Sequence, residues 1–327
     1  MKRWHIWFGI LFPSLFVVGS GVAQDKNIPF DIPALEYKMR YEPFEVRSLV
    51  GIRYDNDFTK RAVLRFRDGT KFRVKWKRAV DGGDAPNNAP RYEIAAYEFQ
   101  KLFLNPEDYV VPPTVGRSLP LAEYRKLEPD AKPTFKGIDA VFFVIQFWLH
   151  DVTDLGVFDE KRVETNPSYA RHLGNLNLFT YLVKHNDSNV GNVLISIYGS
   201  NMRLFSVDNS LTFGDLTSNR GNKWRKLRLK RYPRETLERL KRLTPEDIRR
   251  ALSVVAQYEV RGNDLVPVAP TEPLDKTRGV RRSGNIIQFG LTEREIEGVI
   301  RRWRRLLDLV ASGKIATFAS PDESGSR

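Results

Sequence analysis

Three oxygen-bearing side chains, Asp187, Asn192 and Asp208, fall within one short stretch of the chain. Two carboxylates and an amide oxygen suit a hard divalent cation. Magnesium takes oxygen ligands and usually accepts only one or two carboxylates, leaving phosphates and water to complete its shell. Phosphoryl transfer uses such a set: the metal neutralises charge on the phosphate oxygens while a separate Asp accepts the hydroxyl proton. The surrounding chain suggests how the three could meet. Leu182-Val183-Lys184 ends an apolar helix, His185 to Asn192 is a polar loop, and Val193 to Tyr198 is a β-branched, apolar run. Gly199-Ser200-Asn201 turns that run into a second, Met202 to Val207. Two such runs joined by a Gly/Asn turn predict a hairpin, which carries Asp208 back to the end where the loop lies. Read by themselves, Asn, Asp and Gly between a helix and a strand are also ordinary loop residues.

The order Asp, four residues, Asn, then a hairpin and an Asp at a strand end resembles the catalytic and metal-binding loops of the protein-kinase-like superfamily. The likeness is to its atypical branches: the secretory-pathway casein and xylosyl kinases, the phosphatidylinositol 3- and 4-kinases, and the bacterial HipA-like kinases. It implies that Asp187 is the catalytic Asp, Asn192 a metal ligand and Asp208 the principal metal ligand. Val207-Asp208-Asn209-Ser210-Leu211-Thr212-Phe213-Gly214 is similar to the corresponding segment of the secretory kinases. Two positions depart from the pattern. Ser188-Asn189 follow the catalytic Asp where those branches often have Arg-His, and Asn192 stands where the secretory kinases tend to have Glu.

The elements upstream must supply the rest. Ser48 to Tyr54, Arg61 to Arg67 and Thr70 to Arg78 read as strands, with turns at Asp55-Asn56-Asp57 and Asp68-Gly69. In the third, Phe72, Val74 and Trp76 face one way and Arg73, Lys75 and Lys77 the other. No glycine-rich loop joins the first two strands; residues Asp55 to Lys60 take that place. Pro90 opens a helix over Arg91 to Leu104. Two hairpins followed by a helix match the start of a kinase N-lobe, whose third strand carries a phosphate-contacting Lys. The resemblance points to Lys75, with Lys77 as the alternative; on residue type alone both could be solvent-facing charges. Arg91 to Tyr97 resembles a helix of the secretory kinases, and Val111 to Arg117 the segment that follows it. Glu93 would then pair with Lys75 or bind metal, where otherwise it is a first-turn acid complementing the helix dipole. Val141 to Trp148 is an apolar run fit for a buried strand, and Gln146 to His150 would be the hinge whose backbone meets adenine.

The N-terminus reads as a secretory signal peptide over 1–23: Lys2 and Arg3, an apolar stretch from Ile6 to Val18, and small residues at Gly21 and Ala23. That predicts export to a periplasmic or extracellular space after cleavage near Ala23. The chain of 327 residues has no Cys, which excludes disulfides, thiolate catalysis and Cys-based zinc sites. Four His make a His-rich metal site a poor expectation. The net charge of +13 favours anionic partners in general. Lys and Arg are densest over 220–242, where Leu227, Leu229, Leu237 and Leu240 interleave with them. This predicts a solvated helix face over an apolar stripe, or a docking surface for an anionic substrate, polymer or membrane. No specific nucleic acid is expected.

The expected architecture is α+β, a two-lobed protein-kinase-like fold. An extended leader over 24–44 precedes a strand-rich N-lobe over 45–145 and a mainly helical C-lobe over 146–315; 316–327 reads as a disordered tail. Residues 118–137 read as a loop or insertion and 261–285 as a Gly/Pro/Arg linker. Thr244-Pro245 and the Thr292 to Glu295 capping box predict the starts of two late helices. The implied activity is an exported phosphotransferase using ATP with Mg²⁺ or Mn²⁺, with Ser/Thr of an exported protein or a glycan hydroxyl as acceptor. The rivals are a secreted pseudokinase, an AMP-transferring relative, and a basic envelope protein that binds anionic polymer.

Overall fold

Asp31 and Pro33 open the first element. In the computed structural model, which describes residues 26–52, 58–198, 202–215 and 218–319, the Asp31 carboxylate accepts the Ala34 N–H at 2.9 Å. Helix α1 (Ile32–Tyr41) follows, with Pro33 in its first turn. Ile32, Leu35 and Met39 bury one face of it. The stretch expected to be an extended leader therefore carries a helix. The signal-like segment 1–23 and the turn at 55–57 lie outside the described residues.

Strands β1 (Phe44–Gly51), β2 (Thr59–Phe66) and β3 (Lys71–Arg78) form an antiparallel meander. Its second turn uses Gly69 at φ 86°, which suits glycine. Helix α2 (Pro90–Gln100), strand β4 (Thr114–Pro120), the short helix α3 (Leu121–Tyr124) and strand β5 (Ala140–Phe147) complete the first lobe. The sheet order is β1-β2-β3-β5-β4. All eight residues of β5 are buried, and Trp76 of β3 stacks on Phe143 of β5 with ring centroids 3.7 Å apart. β4 and α3 occupy part of the stretch expected to be loop.

The second lobe opens with β6 (Val152–Thr153), α4 (Glu160–Thr165) and α5 (Pro167–Leu182). α5 is buried along most of its length and delivers the polar loop. β7 (Val193–Ser196) and β8 (Leu204–Ser206) pair antiparallel as the sequence predicts; the turn at 199–201 lies outside the described residues. β9 (Arg231–Pro233), α6 (Arg234–Arg242) and α7 (Pro245–Ser253) follow. Within the basic stretch the α-helix covers only the last part, with Leu237 and Leu240 buried. Thr244 and Asp247 cap α7 reciprocally.

The linker expected over 261–285 is instead part of a four-stranded sheet. Strands β10 (Ala256–Arg261), β11 (Asp264–Val268), β12 (Val280–Ser283) and β13 (Ile286–Phe289) lie in the order β11-β10-β13-β12. This sheet packs on β4 and β5. Phe142 stacks on Phe289 at 4.3 Å, and the Ser118 hydroxyl donates to Asp264 and to the Leu265 carbonyl. Residues 256–289 thus return to the strand-rich lobe, so the second half of the chain is less purely helical than expected. Helix α8 (Glu293–Ala311), capped by Thr292 and Glu295, ends the lobe. Strand β14 (Ala316–Phe318) pairs parallel with β9, so the expected tail begins as strand.

Candidate active site

The alternation of β3 puts Phe72, Val74 and Trp76 in the core and turns Lys75 and Lys77 toward the cleft between the lobes. Lys75 Nζ lies 2.8 Å from Glu93 Oε1 and 3.1 Å from Asp208 Oδ1. Lys77 sits deeper. Its Nζ donates to Ser210 Oγ at 3.1 Å and to the Asn87 carbonyl at 3.2 Å, and lies 3.5 Å from Asp208 Oδ1. Both candidate lysines therefore belong to one network, with Lys75 lining the cleft. Glu93, 1% exposed, accepts the Asn209 N–H on its other oxygen at 3.0 Å. Strand β3, helix α2 and the turn after β8 thus converge through two cations and two carboxylates.

Asp208 holds a left-handed backbone, φ 54° and ψ 61°, a conformation that Asp tolerates better than most residues. The turn aims the Asp208 carboxylate at the lysines while the next N–H reaches Glu93. Burial would raise the Asp208 pKa, but Lys75 and Lys77, with hydrogen bonds from Lys75 and Ser210, hold it well below the usual carboxylate range. Burial likewise opposes the Lys75 charge, and Asp208 and Glu93 outweigh it and raise its pKa. A buried charge stripped of its partner is costly, so each member of this network holds the others in place.

The polar loop after α5 is fixed mainly by its own backbone. His185 N–H donates to Thr180 O at 2.9 Å, Asn186 N–H to Leu211 O at 3.0 Å, and Val207 N–H to Asn192 O at 2.9 Å. The last bond ties the Asn192 end of the loop to the residue before Asp208. Asp187 accepts from Asn189 Nδ2 at 2.8 Å and Asn192 Nδ2 at 3.1 Å, and the exposed Arg220 approaches to 3.6 Å. Beneath it, His185 is fully buried, and burial pushes its pKa down to about 4. The neutral ring can therefore accept the Asp187 N–H on Nδ1, at 3.3 Å. Gly221 crosses this loop so closely that a Cβ there would come within 2.4 Å of His185 O. The basic segment thus lies against the loop that carries Asp187.

Between the lobes is a cavity of about 460 Å³. Phe147, Leu149, Val152 and Leu194 supply apolar wall; Lys75, Asn192 and Asp208 supply a polar end. The Gln146 side chain is buried and donates Nε2 to Thr114 Oγ1 at 2.9 Å, which anchors the end of β5 to β4. Among the described residues, no group of three or more His, Asp or Glu side chains is placed to hold a metal by itself. Phosphate oxygens would have to complete a shell begun by Asp208 and Asn192. The donor set fits that division of labour. All the hydrogen bonds to the Asp208 carboxylate fall on Oδ1. Oδ2 has none among the described residues, and the side chain is 33% exposed. Asn192 spends its amide N–H groups on Asp187, leaving Oδ1 without a partner among the described residues.

Comparison with known proteins bears on the fold. No family model matches the chain, and no curated protein sequence matches it. Solved structures do. The structure of hydra Fam20 with sugar superposes with a TM-score of 0.53 at 14% identity, over 89% of this chain and 93% of that one. The Golgi casein kinase with Mn/ADP bound gives 0.51 at 12% identity, over 89% of this chain and 80% of that one. The fold is protein-kinase-like. At such identity the likeness concerns architecture, and the site must be argued from its own residues.

Proposed function

We propose that this chain is an exported, ATP- and metal-dependent phosphotransferase that phosphorylates a hydroxyl on a protein or a glycan. The observation that carries the reading is the meeting of Lys75, Glu93 and Asp208 at the polar end of a cavity that also has apolar wall from Phe147, Leu149, Val152 and Leu194. An apolar slot for a base beside paired charges for phosphates suits a nucleoside triphosphate. Lys75, steadied by Glu93, binds phosphate oxygens. Asp208 Oδ2 and Asn192 Oδ1 would hold Mg²⁺ or Mn²⁺, whose charge supplies neutralisation of the phosphate oxygens. Asp187 orients the acceptor hydroxyl and takes its proton as that oxygen bonds to the γ-phosphorus. The bond to the β-phosphate bridging oxygen breaks, and ADP leaves with that electron pair.

Two similarities support the reading without deciding it. One of the superposing structures holds Mn/ADP and the other sugar. Export rests on the signal-like character of 1–23. The basic segment, with Arg220 and Lys223 exposed next to the Asp187 loop, is the surface where an acceptor would approach; an anionic surface is the alternative partner there.

The reading is tested with purified protein lacking 1–23, ATP labelled on its γ-phosphate, and Mn²⁺ or Mg²⁺, followed by mass spectrometry. Metal-dependent hydrolysis or self-phosphorylation that disappears in Asp208→Ala is expected. A gain of AMP would point to inverted nucleotide. Nucleotide binding with no transfer would make the protein a pseudokinase, and no nucleotide binding at all would reject the proposal.

A further inference from the structure

Arg91 and Glu93 are two residues apart in the first turn of α2, so they leave the helix on nearly opposite sides. Glu93 faces the cleft. Arg91, 8% exposed, reaches the C-terminal helix α8. Its guanidinium grips Glu295 with both ends, Nη1 to Oε2 at 2.6 Å and Nη2 to Oε1 at 3.0 Å. Nε donates to Asp84 at 2.7 Å, and the remaining donors meet Gly290 O and the Tyr92 hydroxyl. Tyr92 in turn donates to Glu295, and its ring packs on Phe213, centroids 5.8 Å apart. Phe213 closes the segment that begins at Asp208. Gly279 leaves room for the arrangement: a Cβ there would lie 2.3 Å from Arg91 Nε.

Two observations make this more than a surface ion pair. α2 has no side-chain hydrogen bond at its N-cap, Ala89, whereas both α7 and α8 carry full capping boxes. The start of α2 is therefore held from outside. The holder is also fixed, because Glu295 Oε2 accepts the Thr292 N–H at 2.8 Å and so cannot leave without uncapping α8.

We propose that Arg91, Tyr92 and Glu295 form a brace through which α8 sets the rotation of α2. They are positioning residues for Glu93 and, through it, for Lys75 and the Asn209 turn. The link to nucleotide binding rests on the function proposed above; the mechanical claim does not. The consequence is a phosphate-binding wall assembled by the chain itself, by a contact joining helix α2 to helix α8.

The test is Glu295→Gln in the full mature protein. Gln can still cap α8 at this position, so the change removes mainly the countercharge of a buried guanidinium. Hydrogen exchange in peptides spanning 90–100 and 206–213 should quicken on the order of tenfold, while α5 stays protected. ADP·Mn²⁺ affinity should fall by a similar factor, and should fall no further when Glu295→Gln is added to Glu93→Gln. Thr292→Ala, which removes the cap but keeps the grip on Arg91, should leave 206–213 unchanged. Arg91→Lys, which keeps the charge but not the fork, gives an independent version should Glu295→Gln not fold; it should quicken the same two peptides. A folded variant of either kind with unchanged exchange at 206–213 overturns the brace. Wild-type protein that binds no nucleotide would reject the phosphotransferase reading, while the exchange comparison would still decide the brace.

Discussion

The two walls of the cleft handle charge in opposite ways. On the inner wall, Lys75, Lys77, Glu93 and Asp208 are packed into one network in which each charge has an opposite charge beside it. On the outer wall, Asp187 is held by neutral amides, and among the described residues the cation paired with it is a mostly exposed arginine at 3.6 Å. The inner arrangement suits groups that must stay put while phosphates arrive. For the proposed transfer, the outer arrangement leaves the Asp187 carboxylate open to an incoming hydroxyl. Fixed charge and an open carboxylate are thus divided between the two walls, with Asp208 of the second lobe joining the lysines of the first.

Substitutions should divide the same way. The largest effect is expected from Asp208→Ala, which strips Lys75 and Lys77 of a shared partner. Phosphoryl transfer should fall by at least about 10³-fold, together with metal-dependent nucleotide binding. Asp187→Asn should lower kcat by roughly 10²–10³-fold while ADP affinity stays within about threefold, because the inner wall is intact. If Asp187→Asn abolished nucleotide binding as well, the division between the walls would be broken.

Acid should separate the walls in a fixed order. The His185 pKa lies at about 4, below its usual 6.5. The stability that neutral burial of this ring contributes is complete above pH 6.5 and is lost as pH falls through 4. Asp208 is depressed below 3.8, so its contribution is present above about pH 4 and fails only at still lower pH. Urea denaturation from pH 7 to 4 should therefore show a loss that includes roughly 3 kcal/mol from His185, and His185→Gln should flatten that part of the profile. Asp208→Asn removes the negative charge that partly supports protonation of His185, so it should deepen the His185 loss near pH 4. The smallest effect belongs to Arg220→Ala: in physiological salt, transfer to a neutral acceptor should change by less than about threefold.

Much of the inner wall could be read in the chain because β3 alternates cleanly and each polar residue of the site sits next to a recognisable turn or helix start. Alternation does not distinguish Lys75 from Lys77, since a period of two puts both on one face; in the structure Lys75 lines the cavity and Lys77 lies deeper in the same network. The second sheet was missed although its signals are present. Gly262-Asn263 and Gly284-Asn285 each close a two-residue hairpin, with Gly262 at φ 59° and Gly284 at φ 55°. Pro267 and the arginines around 278–282 obscured the alternation. Helix α1 is likewise announced by Asp31 and Pro33, although the prolines of the 24–44 stretch also suit extended chain. Arg91 and Glu295 could not be paired from sequence: each suits its own helix end, and only the packing of the second sheet on the first brings those ends together.

In the proposed function a nucleotide with its metal binds at the polar end of the cleft through Lys75 and Asp208. Thermal unfolding with and without ADP and Mn²⁺ tests it most directly. At a hundredfold excess over Kd, binding should stabilise the wild type by about 2.7 kcal/mol, a rise of several degrees that requires both nucleotide and metal, and Asp208→Ala should show no rise. An equal rise in wild type and Asp208→Ala, or none in the wild type, would contradict it.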